Sequence, residues 1–319
     1  MYDNSIATFA YFSGLNTVDD PTRISPDTIQ IKNVGYKAVY PLTVAENVDI
    51  DNTNALSSRL GSTLRLSGSA IHSFWSNGSI AFFADGKSLY QFNKDYTSTL
   101  LKTGLSGLRI VYEQVVDRVY FTDGQYIGYY KDNAIHDIST PTASYGTAGT
   151  SHMNYKQVLP PGQFLSRYKT RLLVGSGKVM YIADSMSHHF DVRRGYRAFS
   201  SNIKMIHALD TGIYISDSEN TYFLSEKEMG EEVDVFLREK VIDYPAIPYT
   251  SVTIDGKYIG EGQDSDVVMW TSENGICMGD GSGKVTLITR NNYIVSNHAR
   301  GAAFLRNNNN VVHYIAALE

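Results

Sequence analysis

Apolar and polar positions along this chain follow a short beat. From Ile71 onward, runs of four to six aromatic and β-branched residues recur at roughly ten-residue spacing, each closed by Gly, Asp, Asn or Ser. Helical periodicity is nearly absent. One set of four runs reads IHSFWSN, GSIAFFADG, KSLYQFNKD and TSTLLKTG, from Ile71 to Gly104. A second reads LRIVYEQ, DRVYFTDG, QYIGYYKDN and AIHDIS, from Leu108 to Ser139. In both, the second run ends at Asp-Gly (Asp85-Gly86 and Asp123-Gly124), the strongest short-range signal for a hairpin.

Three further units of the same design follow a Ser-, Thr-, Gly- and Pro-rich interruption, Thr140 to Gly162, which reads as a long loop. The third is QFLSRYKT, RLLVGSG, KVMYIADSM and a looser strand near Tyr196 to Ser200. The fourth is IKMIHALD, GIYISDS, NTYFLSEKE and VDVFLREKVI, and the fifth is SVTIDGKYIG, DVVMWTSEN, GICMGDGSG and KVTLITR. AAFLRNN and NVVHYIAAL supply only two strands of a sixth.

The missing pair is found far upstream. Val44 to Arg59 has the layout of Gly275 to Arg290: strand, Asp/Asn/Gly-rich turn, strand ending in Arg. Leu42 to Ile50 and Ala55 to Leu66 would complete the last unit, which is how a β-propeller closes and removes its sheet edges. The expected fold is therefore all-β, a six-bladed β-propeller over residues 41–319 closed by an N-terminal segment, with residues 1–40 as an extended arm punctuated by Pro21 and Pro26. Two stacked β-sandwich domains are the competing reading.

Composition narrows the function classes. With 319 residues, 42% hydrophobic and 19% charged, the chain is globular, and no run approaches the length of a membrane helix. The first residues lack a basic stretch followed by an apolar core, so no secretory leader is expected, and synthesis in a reducing cytoplasm fits the lone Cys277. The net charge is −5 and the basic residues are scattered, so no nucleic-acid-binding stripe is present.

No residue group makes a case for catalysis. Glu226, Glu228, Glu231, Glu232 and Asp234 read as a solvated loop, and Asp85, Asp123 and Asp255 explain themselves as hairpin turns. His188 and His189 are adjacent, and on a strand they would point to opposite faces. His72, His207 and His313 sit within apolar alternation as core or rim residues. Asp49, Asp51, Asn52 and Asn54 have calcium-like chemistry but lack the glycine and distal Glu of a known loop, so a self-capped turn is preferred. Cys277 reads as a buried small hydrophobe. Among 23 Tyr, residues such as Tyr120, Tyr126, Tyr129 and Tyr130 are assigned to filling space between blades. No enzyme activity, cofactor or metal is expected.

The run FSGLNTVDDPTRI (Phe12 to Ile24), followed by AENVDIDNTNALSSRLG (Ala45 to Gly61), resembles the opening of a group of virion structural proteins of tailed bacteriophages. MWTSENGICMGDGSGKVTLIT (Met269 to Thr289) is similar to the blades of the same proteins. The resemblance implies a β-propeller structural subunit of the virion, in the tail or at the portal-to-tail junction, hub- or nozzle-like but shorter. It would act through protein–protein contacts with other virion proteins and in a homo-oligomeric ring. The expected arm contacts are Asp19, Asp20, Pro21 and Arg23. A carbohydrate-binding or carbohydrate-cleaving propeller for host-surface recognition is the alternative.

Overall fold

The computed structural model describes residues 12–15, 27–31, 35–42, 48–50, 56–58, 63–138, 155–227, 235–259, 265–289, 295, 298–308 and 311–319. Its organising unit is a four-stranded antiparallel sheet, present five times. Before the first of these come β1 (Phe12–Leu15), β2 (Asp27–Ile31) and β3 (Gly35–Leu42), then β4 (Val48–Ile50) and β5 (Leu56–Ser58). The first blade is β6 (Ile71–Ser76), β7 (Ala81–Asp85), β8 (Ser88–Phe92) and β9 (Ser98–Lys102). The second is β10 (Val111–Val115), β11 (Arg118–Thr122), β12 (Ile127–Lys131) and β13 (Ala134–Asp137).

In the third region, β14 (Lys156–Val158) is followed by β15 (Phe164–Tyr168), β16 (Arg171–Ser176), β17 (Val179–Ile182), β18 (His189–Asp191) and β19 (Tyr196–Ala198). The blade here is β15–β16–β17–β19, while β14 and β18 pair separately. The stretch expected as one long loop thus contributes a strand. The fourth blade is β20 (Met205–Leu209), β21 (Gly212–Ser216), β22 (Thr221–Lys227) and β23 (Val235–Ile242). The fifth is β24 (Val252–Ile254), β25 (Val267–Ser272), β26 (Gly275–Gly279) and β27 (Val285–Leu287). The last two strands are β28 (Gly301–Asn308) and β29 (Val311–Leu318).

Why these sequences form blades is clearest in the second strand of each. Along β16, Leu172 and Val174 point into one apolar cluster, shared with β11 and β12, and Leu173 points into another, shared with β21. Along β11, Val119 and Phe121 face the first blade while Tyr120 faces the third. Along β21, Ile213 and Ile215 face the third blade and Tyr214 the fifth. A strand buried on both faces reads as a continuous apolar run, which is what RLLVG, RVYF and GIYI are. The core accordingly lies in four seams, each between successive blades, and not within any one sheet. This all-β arrangement of sheets packed face to face around an axis is a β-propeller.

Particular turns hold the blades. Asp85 pairs with Ser88 across a two-residue connection, and Gly86 takes φ +57°, a conformation that favours glycine. Asp123 Oδ1 accepts from the backbone N–H groups of Gln125 and Tyr126, so it caps a slightly longer loop. Asp255-Gly256, expected as a third hairpin turn, instead opens a short 3-10 turn over Gly256–Tyr258, with the Asp255 side chain accepting from Lys257 N. Tyr120 and Tyr130 fill seams as expected, and Tyr126 and Tyr129 pack against them. Cys277 is fully buried in β26, and burial raises its thiol pKa.

Two features differ from the sequence reading at the ends. The segment expected as an extended arm contains a three-stranded sheet, β1–β3–β2, with β1 parallel to β3. Its third strand runs to Leu42, across the expected boundary between residues 40 and 41. Pro21 and Pro26 precede β2 and Pro41 follows the β2–β3 ladder, which pairs Asp27–Ile31 with Gly35–Val39, so no proline interrupts it. In addition, β4 pairs with β5 and β28 with β29, but among the described residues neither pair joins the other. The four Asp and Asn residues weighed as calcium ligands lie outside the described side chains, as do Asp19, Asp20, Pro21 and Arg23.

Candidate functional site

The first strands of the blades come together around an open cavity of about 400 Å³. β6, β10, β15, β20, β24 and β28 all contribute to its wall, so strands from six sheets meet there.

The register makes this specific. On β10 and the residues leading into it, Arg109, Val111, Glu113 and Val115 share one parity, and Val111 and Val115 belong to the seam with the third blade. On β15, Leu165 of that same seam has Arg167 two residues on. Glu113 and Arg167 therefore face each other from the two sides of one seam. On β20, Met205 and Leu209 lie in the seam with the fifth blade and His207 stands between them, its Nε2 2.7 Å from Thr253 Oγ1. Ser166 Oγ accepts from Ala208 N at 2.9 Å across the intervening seam.

Arg109 is tied across the axis. Its Nη1 donates to Gly301 O at 2.8 Å, and its guanidinium carbon stands 4.3 Å from the centre of the Tyr249 ring. That ring stacks on Phe164 at 5.1 Å. Arg167 is exposed to the cavity, and its guanidinium donates no hydrogen bond among the described residues. The titrations follow from this setting. Burial drives the Glu113 carboxyl up to about 7, opposed by the Arg167 charge and by backbone N–H groups of Gln114 and Arg167. Burial holds the His207 imidazole down to about 4. The Tyr112 hydroxyl, on the side of β10 that faces the first blade, is buried with no partner among the described residues, and burial raises its pKa.

Elsewhere, the residues weighed from sequence are dispersed. Glu226 accepts from the Tyr168 hydroxyl at 3.1 Å and pairs with Lys169, whereas Glu228, Glu231, Glu232 and Asp234 lie outside the described residues. His188 precedes β18 instead of lying on it, so its ring and that of His189 come together at 4.5 Å instead of pointing apart. Burial first, then His189, holds His188 down to about 4. His72 makes close contacts with Gly86 O and Ser73 Oγ, while both ring nitrogens of His313 are buried with no partner among the described residues. No group of three metal-ligating side chains exists among the described residues.

Arg109, Glu113 and Arg167 were not singled out by the sequence reading, and His207 was read only as a core or rim histidine. The signal was available: in LRIVYEQV, FLSRY and MIHAL, one face of an otherwise apolar first strand is interrupted by a charged or imidazole side chain.

The sequence matches no family model and no curated protein. Among solved structures, it is similar to virginiamycin B lyase from Staphylococcus aureus, at 10% identity and a TM-score of 0.45 over 89% of this chain and 88% of that one. It is also similar to a gluconolactonase from Xanthomonas campestris, at 9% identity and a TM-score of 0.46 over 79% and 87% of the two chains. A chain of the mitotic checkpoint complex matches at 11% identity and a TM-score of 0.42 over 72% of this chain and 73% of that one. Two of these proteins are enzymes, so the expectation that the present chain is not an enzyme is withdrawn: a lack of legible catalytic motifs does not exclude catalysis.

Proposed function

We propose that the chain is a structural subunit of a tailed-bacteriophage particle, placed in the tail or near the portal and working through contacts with other virion proteins. The observation that carries this reading is the sheet β1–β3–β2. Its strand β1 lies within the run Phe12 to Ile24 that resembles virion proteins, and among the described residues the sheet pairs with no blade strand. A rigid propeller supplies a stable disc, and a sheet outside it supplies edges for a neighbouring subunit. Assembly into a ring would use head-to-tail contacts that close by rotation. Asp19, Asp20, Pro21 and Arg23 belong to this contact segment.

The test is deletion of residues 1–25. The expected outcome is a folded monomer that no longer enters particles; normal incorporation of the truncated chain would refute the reading. Antibody-gold labelling of intact particles locates the full chain. Label at the tail supports the proposal, and unlabelled particles with accessible epitopes, together with binding on a glycan array, favour the carbohydrate alternative.

Closure of the sixth blade by Leu42 to Leu66 is part of the same proposal. A chain starting at Ser67 would then lose hydrogen-exchange protection in β28 and β29, and unchanged protection there would argue against closure.

A further inference from the structure

We propose that the axial cavity binds a small anion, a carboxylate or phosphate group carried on a ligand about the size of one sugar ring. The inference does not rest on the virion reading. Its basis is the charge of the cavity wall and the fixed orientation of its donors.

The cavity, at about 400 Å³, falls within the range of small-molecule sites. Two guanidinium groups, Arg109 and Arg167, reach it from different blades, each a cation with a planar fork of N–H donors. The carboxyl that could neutralise them is Glu113. It accepts from backbone N–H groups of Gln114 and Arg167, which leaves the Arg167 guanidinium unbonded, and burial keeps it largely protonated up to about pH 7. His207 is neutral above about pH 4 and engaged with Thr253. Tyr249 is held in its neutral form by burial, and Arg300, the other cation near Arg109, lies outside the wall and is neutralised by Glu319. Between these limits the groups facing the cavity carry net positive charge with no resident counter-charge.

The donors are also placed in advance. Arg109 spends one N–H on Gly301 O and rests on Tyr249, so its orientation is set while most of its five donors remain for a ligand. Guanidinium forks match the paired oxygens of a carboxylate or the oxygens of a phosphate, and in a partly dehydrated cavity such bonds are stronger than at the surface. Tyr249, with Phe164 stacked on it, adds an aromatic surface beside the charge.

The test is isothermal titration calorimetry of the full chain at low salt, with glucuronate, inorganic sulfate as a stand-in for phosphate, and glucose as a neutral control. The expected result at pH 6 is binding of glucuronate, sulfate or both, and none of glucose. Glucuronate alone indicates a carboxylate ligand, and sulfate alone a phosphate-bearing one. Arg167→Gln should weaken binding at least tenfold while circular dichroism shows an unchanged fold. Independently of any variant, affinity should fall at least threefold from pH 6 to pH 8 as Glu113 ionises, and Glu113→Gln should remove that fall. Absence of binding by both anions, equal binding of glucose, or affinity unchanged by Arg167→Gln or by pH would overturn the proposal.

Discussion

The seam between the fourth and fifth blades and the seam between the fifth blade and the β28–β29 hairpin join neighbouring sheets of the propeller by different physics. In the first, Met205, Tyr214, Phe223, Val268, Trp270 and Cys277 are all buried, and the Tyr214 and Trp270 rings stand 5.5 Å apart. In the second, the described links are directional: Tyr314 Oη donates to Thr250 O at 2.7 Å and lies 2.8 Å from Thr271 Oγ1, and Gly301 N donates to Pro248 O at 3.0 Å. The hairpin itself is mostly half-buried, with Phe304 56% exposed. Apolar burial stabilises in proportion to area, about 25 cal/mol per Å², whereas a hydrogen bond contributes only about 0.5–1.5 kcal/mol net. The apolar seam therefore supplies strength, and the polar one supplies position.

The comparison would break most visibly at Trp270. Trp270→Ala empties the centre of the apolar seam and should lower stability by about 3–5 kcal/mol in urea unfolding. A loss under 1 kcal/mol would mean that the seam does not carry the ring.

Acid acts at the axial end of the same seam. Unfolded His207 takes up a proton below about 6.5, whereas the native imidazole resists until about 4. Its contribution to stability is thus present above pH 6.5 and lost as pH falls towards 4, with a ceiling of about 3 kcal/mol. Glu113 works in the opposite sense. Its carboxyl rises from 4.5 to about 7 on folding, so its contribution is full below pH 4.5 and lost as pH rises through 7. Urea titrations at pH 5 and pH 8 should show that His207→Asn blunts the loss on the acid side and Glu113→Gln the loss on the alkaline side.

At the polar seam, Tyr314→Phe removes the phenol from Thr250 and Thr271 and should cost about 1–2 kcal/mol, read as faster hydrogen exchange across β28 and β29 with the four apolar seams unaffected. Tyr112→Phe sharpens the contrast from the other side. It removes a buried hydroxyl with no partner among the described residues and should raise stability by about 1 kcal/mol. The smallest effect is expected at Arg300 and Glu319, an exposed pair beside the hairpin; Arg300→Gln should leave the melting midpoint unchanged.

Much of the ring was legible in the sequence. Runs such as RLLVG and GIYI carry their own evidence of burial on two faces, and the four-strand units from Ile71 to Arg290 match the observed sheets. The β14–β18 pair was not legible, because three-residue strands such as Lys156–Val158 have too little alternation to stand out from a loop. The parallel pairing of β1 with β3 was equally hidden: neither strand carries a turn signal that names its partner. The cavity was hidden for another reason. Glu113, Arg167 and His207 are separated by about one blade of sequence each, and only the packing of successive blades makes them neighbours.

Because a strand such as β16 lends Leu172 and Val174 to one seam and Leu173 to the next, adjoining seams share a wall. Leu172→Ala and Leu173→Ala therefore hollow out opposite sides of one shared partition, and a substitution on β16 is felt in two compartments of the core at once.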